Sequence, residues 1–517
     1  MALITPVMFW LLLLLLIPLL LLLKKKQNVD KTPQNKQKHL PPSPPKLPLI
    51  GNLHQIGSQP HRTLLQLSKK YGPVMLLHLG RVPAVVISSA EAAKDVFKTN
   101  DLHCCSRPTY AASRRLTYNY LDVGFSPYSD YWREIRKICV VELFSVKRVQ
   151  SYRSIREEEV AKMVKSISDH SSSSVAPVDV SEILFALVAS ILFRVGFGTS
   201  LQSSNYKSGK AIHKLLHDIE TMLGGMSGAE YFPAWIGWII DTVTGVQKKF
   251  DRISSELDVF FQQLVDDHLT AGRKQEEHED IIDALLRTLK EQTGVVGAAQ
   301  LGHASVKAVL LNLLLGGIDT GAITMWWAMA ELVKNPRVMK KAQQEVRNYI
   351  GNKGLVGESD VEQLEYLKMI IKETLRLHPP APMILPREAM SHFKIQGYDV
   401  DPKTRILVNE GAIARDPKIW NDPEEFFPER FDGSSVDFKG QHYEYLPFGA
   451  GRRMCPGIYM ATTTLQFGLA NLLYWFDWKL PNGMKVEDLD MEESAVASLT
   501  VPMKNHLLLV PQKFYQN

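Results

Sequence analysis

The chain opens with an unbroken apolar run, Pro6 to Leu23, eighteen residues long, close to the ~20 that a membrane-spanning helix needs. Lys24, Lys25 and Lys26 follow at once, with no small-residue cleavage site between. The run therefore reads as a signal anchor, with the lysines and everything after them on the cytosolic side. Gln27 to His39 are polar, and Pro41 to Asn52 (PPSPPKLPLIGN) make a stiff proline-rich spacer that cannot be helix. This divides the chain into an anchor at 1–23, a basic and proline-rich linker or hinge at 24–52, and a folded domain at 53–517.

Inside the domain the pattern alternates between short β-rich runs and longer helical ones. Val74 to Ser88 holds two β-rich runs parted by Gly80-Arg81, which predicts a hairpin. The stretch YWREIRKICV is helical, with Trp132 and Arg136 four residues apart on one face. Ser168 to Ser174 reads as a loop by composition. Tyr231 to Ile240 gathers Phe232, Trp235 and Trp238, an aromatic cluster that is either core or a lipid-facing entrance. Ala304 to Lys334 is apolar nearly all round and stops at Asn335-Pro336, which predicts one buried central helix about 45 Å long. In its middle stands GGIDTG, Gly316 to Gly321. The paired glycines weaken the helix locally, and Asp319 and Thr320 put a carboxylate and a hydroxyl where burial without use is costly.

Composition narrows the function classes. With 45% hydrophobic and 22% charged residues the chain is ordinarily globular, and a net charge of +5 gives no reason to expect a nucleic acid partner. Its four cysteines, Cys104, Cys105, Cys139 and Cys455, lack C-x-x-C spacing. That argues against a disulfide framework and a zinc site, and for a reducing compartment.

Only Cys455 lies in a glycine-bracketed loop, Phe448 to Gly457 (FGAGRRMCPG), and the apolar run Gly457 to Trp475 predicts a helix just after it. A thiolate is favoured at such a helix N-terminus. A dinucleotide-binding reading of Gly449-x-Gly451 fails, since Met454 stands where the third glycine belongs. The pattern F-x-x-G-x-R-x-C-x-G is matched at Phe448, Gly451, Arg453, Cys455 and Gly457. In this the chain resembles the haem-thiolate monooxygenases of the cytochrome P450 family, from about Pro41 to its end.

The resemblance implies a mainly α fold with small β-sheets, here preceded by an N-terminal transmembrane helix. It makes Cys455 the axial ligand of the iron of haem b, with Phe448, Trp132, Arg136, Arg387 and Arg453 around the haem and its propionates. Asp319 and Thr320 become the catalytic acid and alcohol that manage proton delivery to dioxygen; plant-type members carry Ser or Thr where this chain has Gly321, so an auxiliary hydroxyl is missing. Glu373 and Arg376 match the family's E-x-x-R, which locks to Arg430, and the three are structural. Substrate contacts fall at Leu313, Gly316, Ala381, Met383, Ile384, Leu385, Leu499 and Thr500. His378, beside two prolines, reads as a turn residue.

Because the chain carries no flavin or NADPH fingerprint, the resemblance implies electrons from NADPH through a separate NADPH-cytochrome P450 reductase, docking near Arg133, Lys137 and Arg452. Dioxygen, a lipophilic small-molecule substrate and a lipid bilayer complete the partners, at the endoplasmic reticulum membrane with a single pass. The proline hinge, GRRMCPG and HEDIIDALL are similar to plant microsomal enzymes of specialised metabolism, and the apolar contact set favours a terpenoid over an alkaloid or phenolic. Two competing classes are a haem-thiolate isomerase or dehydratase, against which Asp319-Thr320 weighs, and a non-catalytic haem protein, against which Cys455, Glu373 and Thr320 together weigh.

Overall fold

The computed structural model describes residues 38–514, apart from 175, 202–208, 225–226, 271–278, 293–300 and 497. The expected anchor at 1–23 lies outside the described residues. Val74–Leu79 (β1) and Val82–Ile87 (β2) form the predicted hairpin, paired from Val74↔Ile87 to Leu79↔Val82. Asp130–Ile138 (α1) carries Trp132 and Arg136, and its N-cap Ser129 accepts a hydrogen bond from the Trp132 backbone N–H. Arg153–Ser173 (α2) takes in most of the stretch expected as a loop. The hydroxyls of Ser172 and Ser173 bond back to the carbonyls of Ser168 and Asp169, and Ser171 donates to Pro511 O. Serine thus rides the last helical turn that its composition alone argues against.

After the short strand Val178–Asp179 (β3) come Val180–Phe197 (α3), Gly209–Gly224 (α4) and Ala234–Val243 (α5). The run expected to be one central helix is two: His303–Gly317 (α6) and Asp319–Lys334 (α7), meeting at Ile318. Both are buried along most of their length, as is α3, so their membrane-like hydropathy reflects a protein core. Gly317 permits the close packing: a Cβ there would lie 2.2 Å from Leu192 Cδ1 on α3. Gly316 faces open space, with nothing within 4 Å of where its Cβ would be.

Glu365–Leu377 (α8) leads into Met383–Glu388 (β4), the hairpin Phe393–Ile395 (β5) and Tyr398–Val400 (β6), and Arg405–Asn409 (β7). Ile458–Trp475 (α9) follows the cysteine loop, and Phe476–Lys479 (β8) and Leu508–Lys513 (β9) close the chain. The larger sheet runs β1-β2-β7-β4; β2 and β7 are parallel, and β4 pairs antiparallel to β7 with a register shift between Ile384 and Arg387. A second sheet runs β3-β9-β8. The described chain is thus mainly helical with small sheets, as expected.

Glu373 ties these parts together. Fully buried on α8, its carboxylate accepts from Arg376 Nε at 2.8 Å and Nη2 at 2.9 Å, from Arg430 Nε at 2.8 Å, and from the Phe427 backbone N–H at 2.9 Å. Arg376 in turn donates to the carbonyls of Ala414, Pro423 and Glu425. Removing one partner strands the other charges in the interior. Glu373→Gln is expected to lower stability by about 3–5 kcal/mol and to cut haem incorporation, measured by urea unfolding and by the ratio of haem to protein.

Candidate active site

The cysteine loop is built on two left-handed glycines. Gly449 and Gly451 both have φ +68°, and at Gly451 a Cβ would sit 2.6 Å from Asp101 Oδ1 and 2.8 Å from Phe97 O. Only glycine allows that approach. The loop closes with the Cys455 N–H donating to Phe448 O at 2.9 Å, and α9 begins three residues on, at Ile458.

Cys104, Cys105 and Cys139 are buried, whereas Cys455 has open surface. That surface faces inward: burial pushes the thiol up, against the opposing pull of the Gly457 N–H and the Arg136 guanidinium. Desolvation is the larger influence on the thiol and the Gly457 N–H the next.

Around this loop arginines gather from distant parts of the chain. From α1, Arg136 donates to Met454 O, while Trp132 Nε1 donates to Val123 O at 3.0 Å. The Arg453 guanidinium lies 3.8 Å from the Trp132 ring centroid and donates to Cys105 O and Ser126 O. Arg387 on β4 pairs with Asp101 at 2.6 Å and donates to Ala450 O, and its buried Nε has no hydrogen-bond partner. Arg107, which the sequence reading missed, joins them and donates to Gly124 O, Leu385 O and Pro386 O. Nothing in its local SRP context marks it, since its importance comes from neighbours hundreds of residues away. For two of them burial comes first and repulsion by neighbouring guanidiniums adds to it: Arg453 falls to about 9, and Arg107 is lowered by burial and then by Arg453 and Arg387. A cluster of buried cations with an orphaned donor, beside an inward-facing thiol, fits a haem whose two carboxylates would supply the missing counter-charge.

On α7 the acid and the alcohol diverge. Thr320 Oγ1 donates to Gly316 O at 2.8 Å across the helix break. Asp319 is buried and faces Glu220 of α4, whose carboxylate accepts from Ser498 Oγ at 2.9 Å and from Thr500 Oγ1. Burial and the neighbouring carboxylate hold Asp319 well above the usual carboxylate range, and burial raises Glu220 as well. Glu220 too escaped the sequence reading, which had no means of pairing α4 with α7.

Of the expected substrate contacts, Met383, Leu385 and Leu499 line a cavity of ≈ 180 Å³. Thr500 lines a smaller one with Asp319 and Glu220. Leu313 lies in the core, where a Cβ on Gly196 would come within 2.5 Å of its Cδ2. Ile384 packs beside Gly449, Ala381 is half-buried, and Gly316 is open. Phe448 sits edge-on to Phe438, with centroids 5.3 Å apart. His378 follows α8 directly, stacks on Trp327 at 3.9 Å and bonds to Glu331 at 2.7 Å, a turn residue as expected. Trp235 and Trp238 on α5 are exposed, and so are Arg133, Lys137 and Arg452, although Arg133 pairs with Asp130 and Arg452 with Asp101.

A mainly helical fold with a cysteine in a glycine-built loop, arginines bonded to that loop and a broken central helix is that of a haem-thiolate protein. The Cytochrome P450 family model matches residues 41–510, and the chain belongs to that family of monooxygenases. It is 54% identical to cytochrome P450 71B37 and 53% identical to cytochrome P450 71B36, both of Arabidopsis thaliana, over 94% and 93% of this chain and 95% of each relative. A zebrafish cytochrome P450 solved with abiraterone has the same fold, with a TM-score of 0.72 at 24% identity, over 89% of this chain and 100% of that one.

Cys455→Ser is expected to abolish the red-shifted Soret band of the reduced, carbon monoxide-bound protein, while Cys104→Ser and Cys139→Ser keep it. Difference spectra of the three variants check this.

Proposed function

We propose that the chain is a microsomal monooxygenase that hydroxylates a lipophilic terpenoid, using dioxygen and electrons from NADPH through a separate reductase, with haem b held by Cys455. The observation that carries this reading is the Cys455 loop, to whose backbone Arg136 and Arg387 donate and which itself bears Arg453, with Arg107 beside these arginines and the open surface of Gly316 on the central helix. Bound haem would supply dioxygen activation, and a thiolate ligand favours O–O cleavage. The four arginines would bind and neutralise its carboxylates. Trp132 braces Arg453 from behind.

Protons are the task of this chain's own side chains. Thr320 holds a hydroxyl proton at the break, directed at Gly316 O, and is free to turn it toward a ligand in the open space there. Asp319, next in sequence, is held toward its protonated form by burial and by Glu220 across from it. Gly321 offers no hydroxyl of its own, so Thr320 has no side-chain substitute at that position. The apolar wall made by Met383, Leu385 and Leu499 excludes water and suits a greasy substrate. Exposed Trp235 and Trp238 would dip into lipid beside it, and the Pro6 to Leu23 run would anchor the chain in the endoplasmic reticulum membrane.

Expressed with an NADPH-dependent reductase and offered terpenes, alkaloids and phenolics, the enzyme is expected to give oxygenated product from a terpene, scored by mass spectrometry; product from phenolics alone would overturn the substrate class. Thr320→Ala is expected to keep haem and NADPH use but lower product per NADPH by roughly tenfold, with hydrogen peroxide appearing instead. Unchanged coupling would remove Thr320 from the proton path.

A further inference from the structure

The ≈ 180 Å³ cavity has apolar walls, among them Leu64, Leu79, Met383, Leu385, Leu407 and Leu499, yet it also holds a buried cation that nothing so far accounts for. Arg405 opens β7. Ile406 and Val408 point to one side of the sheet and into the core, so strand alternation sends Arg405 and Leu407 to the other, where the cavity lies. Its residue is only 6% exposed. The guanidinium lies 4.6 Å from the Tyr110 ring and 5.0 Å from the Tyr231 ring, and its buried Nη1 has no hydrogen-bond partner. Among the described residues no carboxylate forms an ion pair with it.

The other charged groups lining this cavity leave Arg405 uncompensated. Arg107 donates to three backbone carbonyls and is assigned above to the haem carboxylates, and His61 is paired with Glu493 at 2.9 Å. Glu230, the one acidic side chain among the described residues lining the cavity, forms no ion pair with Arg405, and burial holds its carboxyl up to about 8 against the opposing pull of Arg405. Two aromatic rings offset part of the cost of burying a guanidinium, but a free donor in an apolar cavity asks for an acceptor.

We propose that this cavity recognises a lipophilic carboxylic acid, with its carboxylate on Arg405 and its hydrocarbon along the β7, β4 and Leu499 walls. The proposal rests on the monooxygenase reading and deepens it, turning a greasy substrate into an amphipathic, anionic one. Arg405 is then a specificity residue that fixes one end of the substrate, which selects the carbon presented at the other.

The test uses full-length holoenzyme in neutral lipid nanodiscs, with dodecanoate and its methyl ester as probes and affinity measured by calorimetry. Wild type is expected to bind the acid about tenfold tighter than the ester, the scale of one charge-assisted hydrogen bond made in place of an unmet one. Arg405→Gln should bring the ratio of acid to ester affinity to about one, and Arg405→Lys should keep part of the preference. Taking the ratio within each variant cancels any loss of folded protein. A wild type with no preference for the acid, or an Arg405→Gln variant that keeps it, overturns the proposal. The carbon monoxide spectrum and NADPH-dependent, reductase-supported oxygen uptake are read on the same preparations. If those persist while the preference is absent, the anchor alone is wrong; if they fail, the monooxygenase reading fails.

Discussion

One buried carboxylate holds the molecule's halves in register. Glu373 takes hydrogen bonds from Arg376 on its own helix, from Arg430, and from the backbone at Phe427, while Arg376 reaches the carbonyls of Ala414 and Pro423. Each contact alone is an ordinary charge-assisted bond. Together, in an interior where none of the partners can turn to water, they become all-or-none, because any single loss leaves a buried charge unmet. The segment fixed this way runs toward the cysteine loop, so the position of Cys455 depends on a lock that includes no group of the site itself.

The central helix shows a related economy. Its apolar surface serves the core, and its two glycines do different work: Gly317 lets α3 approach, and Gly316 leaves a gap on the opposite side. The break at Ile318 turns Thr320 toward that gap and Asp319 toward Glu220. Adjacent residues thus serve two environments, which an unbroken helix would present about 100° apart on one cylinder and without a pocket between.

Local pattern was enough to read the hairpin at Val74 to Ser88, the burial of Ala304 to Lys334, and the glycine-built loop around Cys455, because each is encoded within about thirty residues of its own sequence. The extension of α2 to Ser173 was not legible, since serine's turn preference is overridden there by bonds to the preceding turn and to Pro511. Arg107, Glu220 and Arg405 escaped for a different reason. Each is defined by partners far away in the chain: Pro386 for Arg107, Asp319 for Glu220, Tyr110 and Tyr231 for Arg405. No periodicity carries that information.

The crowd of guanidiniums at the cysteine loop bears on the abundance of the protein in a cell. Arg107 and Arg453 are lowered by burial and by neighbouring guanidiniums, with Asp122 as the carboxylate nearby, while Asp101 is taken up by Arg387 and Arg452. Without a dianionic guest the fold carries that repulsion as a standing cost, and the guest's arrival cancels it. Folded stability then rises with the logarithm of free haem concentration, by mass action. Supply of the prosthetic group sets how much chain survives quality control, so under haem shortage the protein would fall in amount before it fell in specific activity.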